Sequence, residues 1–324
     1  LPRDAAQPEH PDDFTKSSRI GVMMADLYDL TNGMPIASLS PFSNIYEEYA
    51  RAFDDAAAPF LYHWRLEGGG LEKSLLTRGE FWNLAHAAAA CCQGQGLVKG
   101  DRVIHGFSGN SPHDLVFRMA GTLCGSVPVT INWQTDDLER IRYKIELTRA
   151  RLLIYDDGFA GRAASLKADY PGLSFFKAGD IVKCQGTSGG SYPAPRLDDE
   201  KMIIFSSGTT GFPKGASLSH RSYLANRLTF DGYFGLAKNE PLELVLVNPL
   251  HHANSSALSD WGMRRSGAVI HLLERYSTLY WRLLAEVRER SDGRVVTALV
   301  ASHIDFLDNL HHTGALYRRK KNSP

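Results

Sequence analysis

Residues Ser206 to Gly215, SSGTTGFPKG, are the part of this chain best equipped for chemistry, and the chemistry they suit is holding phosphate. Gly208, Gly211 and Gly215 permit backbone angles closed to other residues and let an anion approach main-chain N–H groups. Ser206, Ser207, Thr209 and Thr210 add hydroxyl donors, and Lys214 adds a compact cation on a flexible stem. Pro213 stiffens the turn just before it. The nucleotide-binding pattern G-x-x-x-x-G-K-[ST] needs glycine directly before the lysine and a helix starting there. Here Pro213 precedes Lys214, Ala216 to Ser219 reads as extended, and Ser219 caps a helix predicted from His220 to about Phe230. The letters exclude that pattern.

Other constellations are weaker. Asn248-Pro249-Leu250-His251-His252 follows a predicted strand ending at Val247. Histidines at strand ends commonly bond backbone groups, and adjacent ones cannot face one metal as an i, i+4 helical pair can, so spacing alone points to loop caps rather than zinc. His303, His311 and His312 lack any partner pattern and read as surface or cap residues. The carboxylates of Asp136 and Asp137 sit in a first helical turn, where the helix field favours acids, which makes a structural role the expectation. No G-x-S-x-G elbow occurs, and Ser206 to Ser219 lacks a base with an orienting acid, which argues against a serine hydrolase.

Positioning such loops takes a sheet. Residues 44–53 carry apolar groups at helical spacing, and 59–64 reads as a strand turning through Gly68-Gly69-Gly70. Thr77-Arg-Gly-Glu80 has the form of a capping box opening a helix to about Gly94. Strands are predicted at 102–107, 127–131, 152–155 and 173–176; one helix is opened by Ser111-Pro112 and closed by Gly125, another is capped by Thr135 and runs to Thr148. After the non-periodic stretch 186–195 the chain enters the strand that carries the phosphate loop. A second alternation follows, with strands at 244–247, 268–273 and 295–300, helices at 254–265 and 277–290, and a last helix capped by Ser302. Strands alternating with helices across short loops predict an α/β protein whose parallel sheets are covered on both faces. Ligands of such sheets bind beyond the carboxyl ends of strands, where Ser206 lies.

The expected divisions are an arm (1–40), a helix and hairpin packing with the second sheet (41–75), a first α/β subdomain (76–235), a partial second one (236–312) and a basic tail (313–324). Lys plus Arg and Asp plus Glu both number 36, so no net field recruits nucleic acid or an anionic membrane. Cys91, Cys92, Cys124 and Cys184 show no C-x-x-C spacing and read as reduced core thiols. With no long apolar run and no hydrophobic leader in the first residues, the expectation is an intracellular, cytoplasmic protein.

SSGTTGFPKG resembles the phosphate-binding signature of the adenylate-forming superfamily, which holds acyl- and aryl-CoA synthetases, peptide-synthetase adenylation domains and beetle luciferases. Residues 127–154 are similar to that family's early strand-helix-strand and 266–277 to its later one, and the likeness extends over about 44–310. The resemblance implies the N-terminal portion of such an enzyme: two doubly wound, mostly parallel sheets, the second incomplete, without the small C-terminal mobile domain. It implies that Ser206, Ser207, Gly208, Thr209, Thr210, Gly211, Lys214 and Gly215 hold ATP, with Lys214 neutralising charge in the reaction and Thr210 meeting Mg²⁺ through Mg-ATP. His252 aligns with the histidine near the carboxylate being activated, and His251 replaces the usual aromatic. Ala257 and Trp261, one helical turn apart, resemble a wall of the acyl pocket and equally suit ordinary core. The implied reaction activates a carboxylic acid, a fatty acid being the leading expectation, to an acyl-adenylate and then to a thioester with coenzyme A. The family's Tyr-Gly-x-Thr-Glu stretch, ribose-binding aspartate and mobile-domain lysine find no match in this sequence, so a truncated chain, weak or inactive alone, is expected. A non-catalytic nucleotide- or acyl-binding derivative is the alternative.

Overall fold

A computed structural model describes residues 42, 44–184, 194–206, 211–236, 240–301 and 303–304. The expected arm and tail, most of the last helix and most of the 186–195 connection lie outside these residues.

Helix α1 (Ile45–Ala52) starts at Asn44, whose side chain accepts from the Glu47 N–H. Strands β1 (Pro59–Glu67) and β2 (Gly70–Thr77) form a hairpin, and the turn needs Gly68 and Gly69 because their φ angles are +56° and +78°. Thr77 and Glu80 complete a reciprocal capping box at α2 (Arg78–Gly94). Strand β3 (Arg102–Gly106) follows; Ser111 caps α3 (Pro112–Cys124), and Gly125 closes it in the left-handed conformation. Next come β4 (Val127–Thr130), α4 (Leu138–Thr148), β5 (Leu152–Tyr155), α5 (Ala160–Asp169), β6 (Ser174–Lys177) and a 3₁₀ turn, Ala178–Cys184. Strands β7 (Glu200–Phe205) and β8 (Gly215–Ser219) flank the phosphate loop, and Ser219 caps α6 (His220–Phe234), one turn longer than predicted. The second alternation is β9 (Leu242–Leu246), α7 (Ala253–Met263), β10 (Ala268–Leu273), α8 (Leu279–Arg290) and β11 (Arg294–Thr297).

Two sheets result. The first has the order β6-β5-β3-β4-β7-β8, parallel except for β7 with β8; the second has the order β11-β9-β10-β1-β2, parallel except for β1 with β2. Strands β3, β4 and β5 are buried almost throughout, as parallel strands covered on both faces must be. One core lies between the sheets: Phe81 and Ala88 of α2, Leu115 and Phe117 of α3, Trp261 of α7, Val103 and Ile154 of the first sheet, and Leu244 and Ile270 of the second. Helices α4 and α5 cover the first sheet's outer face, and α8 covers the second's. A layered α/β/α/β/α arrangement follows, with the two sheets facing each other across α2, α3 and α7.

Three expectations need correction. The cap of α4 is Asp137, not Thr135, because the Asp137 carboxylate accepts from the Arg140 N–H. Helix α5 was not foreseen; only Ala163 and Leu166 of it are buried, too few to leave an apolar stripe. The cysteines are not all reduced: Cys91 of α2 and Cys184 are bonded, with Cα atoms 5.8 Å apart, while Cys92 and Cys124 are buried free thiols. A spacing of 93 residues carries no trace of that pairing in the sequence.

Candidate active site at the carboxyl ends of two sheets

The loop after β7 opens from the carboxyl end of a buried strand. Ser206 N–H donates to the Lys214 carbonyl at 3.0 Å, and Lys214 N–H donates to Ser206 Oγ at 3.3 Å, so the two ends of the loop are pinned together. Gly211 has φ +142°, an angle that side-chain-bearing residues rarely adopt. Phe212 stacks on Tyr143 of α4, ring centroids 4.6 Å apart, and Pro213 is buried. Ser206, Gly211, Lys214 and Gly215 are exposed, and the Lys214 ammonium has no carboxylate partner among the described residues. Exposed Ser206, Gly211 and Gly215 beside an ammonium with no carboxylate partner among the described residues fit an anionic ligand. Ser207, Gly208, Thr209 and Thr210 lie outside the described residues.

The second candidate is the turn after β9. His251 and His252 have ring centroids 4.3 Å apart but divergent surroundings: His251 is buried against Trp133, whereas His252 is exposed at the N-cap of α7 with no side-chain capping bond. Among the described residues neither ring nitrogen of His251 has a hydrogen-bond partner. Burial, followed by the repulsion of His252 and nearby cations, pushes His251 down to about 3, so it is neutral. Burial lowers His252 as well. His251 lines a cavity of about 10 Å³ with His105, Trp133 and Arg118.

Charges that the sequence reading missed sit behind both turns. Asp114 of α3 accepts from Arg118 Nε at 2.8 Å and from Nη2 at 3.0 Å, and lies 2.7 Å from His105 Nδ1. Burial alone would raise Asp114, but Arg118 and His105 more than offset this and hold it well below the usual carboxylate range. Lys144 of α4 donates to the Thr130 carbonyl and pairs with Asp136, its ammonium 4.6 Å from the Phe205 ring centroid. Asp136 is therefore one half of a buried ion pair, and Asp137 a helix cap. Asn110, in the loop after β3, bonds the second sheet directly. A Ser-Gly-Asn-Ser-Pro string reads locally as a cap and turn, which is why its long-range role left no signal.

Trp261 is fully buried: its ring packs on Phe230 and stacks on Phe234, and its N–H donates to Asp231 at 2.8 Å. Such packing suits both readings of this residue, core and wall of an acyl pocket. Ala257 is half-buried on the same helix. His303 stacks on Tyr276. Among the described residues no cluster of three or more His, Cys, Asp or Glu side chains could hold a metal ion, and no helix is long and apolar enough to cross a membrane.

The model of the AMP-binding enzyme family matches residues 47–321. The chain belongs to that family. Among curated relatives, a medium/long-chain-fatty-acid–CoA ligase of Mycobacterium tuberculosis is 26% identical over 208 residues, covering 61% of this chain and 34% of the relative. A 2-succinylbenzoate–CoA ligase of Bacillus velezensis is 30% identical over 159 residues, covering 48% and 30%. The chain thus spans about a third of the length of these relatives. Among solved structures, the N-terminal domain of FACL13 from Mycobacterium tuberculosis superposes with a TM-score of 0.68 at 19% identity, covering 82% of this chain and 65% of that one. O-succinylbenzoate coenzyme A synthetase from Bacillus subtilis, in complex with ATP and magnesium ion, gives 0.62 at 14% identity, covering 76% and 62%. At these identities the likeness establishes the fold: two mostly parallel sheets arranged as in the N-terminal domain of adenylate-forming enzymes.

Proposed function

We propose that this chain is the N-terminal part of an acid–thiol ligase that activates a carboxylic acid with Mg-ATP and passes the acyl group to coenzyme A. The observation carrying this reading is the exposed Lys214, without a carboxylate partner among the described residues, on a loop pinned at Ser206, at the carboxyl end of a buried parallel strand, in a chain that belongs to the AMP-binding family. A carboxylate oxygen attacks the α-phosphorus of ATP, the acyl–O–P bond forms, and the bond to pyrophosphate breaks. The thiol sulfur then attacks the acyl carbon and AMP leaves. A carboxylate is already ionised at neutral pH, so no general base is required; alignment and cations that neutralise the leaving pyrophosphate supply the rate. Lys214, Ser206 and the main chain at Gly211 and Gly215 would hold the phosphates, together with Ser207, Gly208, Thr209 and Thr210, and Thr210 would meet Mg²⁺ through the bound nucleotide. His252 faces the carboxylate, with His251 and Ala257 shaping the acyl side. A fatty acid is the favoured substrate, supported by the fatty-acid ligase among the relatives.

The decisive measurement is carboxylate-dependent exchange of labelled pyrophosphate into ATP over a panel of fatty and aryl acids. Exchange above background would establish the adenylation half-reaction. Binding of Mg-ATP or acid without exchange would instead make this chain a non-catalytic nucleotide- or acyl-binding form. Lys214→Ala should weaken Mg-ATP binding in calorimetry by about 10- to 100-fold, the worth of one charge-assisted contact of ~1.5–3 kcal/mol. Unchanged affinity would remove the loop from the nucleotide site.

A further inference from the structure

Leu250 precedes His251 and His252 and belongs to the second sheet's turn, yet side chains of the first subdomain hold both of its main-chain polar groups. Its N–H donates to Asn110 Oδ1 at 2.8 Å, and its carbonyl accepts from Arg118 Nη2 at 2.9 Å. Asn110 Nδ2 donates to the carbonyls of Asn248 at 3.2 Å and Leu273 at 2.9 Å, while its main-chain N–H donates to the Glu274 carbonyl at 2.9 Å. A buried amide offers two donors and one carbonyl, and here all are used across the gap between the sheets. The backbones come close: a Cβ on Gly109 would meet the Glu274 carbonyl at 3.2 Å. Arg118 is fixed in turn by its fork of Nε and Nη2 onto Asp114, which leaves the second N–H of Nη2 aimed at the Leu250 carbonyl.

We propose that Asn110 and Arg118 are positioning residues that grip the peptide groups of Leu250 and thereby set where His252 stands against the bound acid. The inference rests on the reading of His252 as the carboxylate-side histidine. His252 makes no capping bond through its own ring, so the main chain before it is what places it. In reactions that depend on alignment, a misplacement of about 1 Å costs roughly a hundredfold. The two grips act on one residue from two directions, so the turn can neither slide along β9 nor swing away from α3.

The test uses Asn110→Asp, which keeps the shape and one acceptor but turns two donors into an acceptor facing carbonyls, and Arg118→Lys, which keeps the charge and loses the fork. Amide hydrogen exchange at residues 250–252 is read beside the binding of sodium octanoate and of Mg-ATP, measured separately. In both variants exchange at Leu250 should rise roughly tenfold or more while amides of β3 and β9 stay protected. Octanoate affinity should fall about tenfold, with Mg-ATP affinity within about twofold of wild type. Unchanged protection at Leu250 would overturn the proposal. So would an equal loss of both ligands accompanied by a lowered melting temperature, which is the signature of a merely structural role. A wild-type chain that binds no octanoate would count against a fatty acid as the substrate, and the exchange arm, which needs no ligand, would still support or overturn the grip on Leu250.

Discussion

His251 carries the most direct electrostatic consequence at the scale of single residues. Unfolded, its imidazole takes a proton near pH ~6.5; folded, it stays neutral down to about 3. Between those values the unfolded chain binds the extra proton, so stability falls as pH falls, by about 1.4 kcal/mol per pH unit for one such group, and is untouched above ~6.5. Replacing the ring by His251→Phe should therefore flatten the urea-denaturation profile between about pH 6 and 4.5 by roughly that slope, with little change at pH 7.5 because an apolar ring leaves no unbonded nitrogen in the core. Equal slopes in variant and wild type would mean that the ring is solvated. His105, also buried and lowered, remains in both proteins and supplies a common background. The adjacent histidines were visible in the sequence as a pair. Their opposite fates, one inside and one at the surface, follow from the direction in which the turn enters α7, which no local pattern encodes.

Among the elements, those marked by local chemistry were legible. Thr77 with Glu80, Ser111 with Pro112, Gly125, Ser219 and the Gly68-Gly69 turn each satisfy or release specific backbone groups, and each stands where the sequence placed it. What stayed hidden is how elements distant in the chain share buried charge. Asp260 of α7 accepts from Tyr49 of α1, pairs with Lys201 of β7 at 2.9 Å and with Arg264 at 2.7 Å, and Glu48 of α1 pairs with Arg264 and with Arg227 of α6. Burial alone would raise Asp260, but Arg264 and Lys201 outweigh it and keep it ionised. The network fastens β7, the strand feeding the phosphate loop, to the helices of the second subdomain. Asp260→Ala would strand Lys201 as a buried cation and leave Arg264 with Glu48 alone, and a loss of about 3–5 kcal/mol in chemical denaturation is expected. A loss below ~1 kcal/mol would show that water reaches these charges in the native state.

For the molecule as a whole, the Cys91–Cys184 bond makes the clearest claim, because it closes a loop of the chain that contains β3, β4, β5 and β6. A link of this span stabilises mainly by restricting the unfolded chain, by about 2–4 kcal/mol. Reductant should lower the denaturation midpoint of wild type accordingly. Cys184→Ser should show the same deficit and no further response to reductant, and peptide mapping without reduction should recover the two segments joined. Separate peptides and a midpoint indifferent to reductant would restore the reading of four reduced thiols. The sheet order limits what the bond can do to the site. The turn that carries Cys184 follows β6, at the edge of the first sheet opposite β7 and β8, with β5, β3 and β4 in between. Phosphate-loop geometry is set by β7, β8 and the charges fastening β7 to α7, none of which the bond touches. Reduction should therefore cost stability while leaving Mg-ATP affinity within about twofold, and a larger change in affinity would show that the 3₁₀ turn and the loop move together.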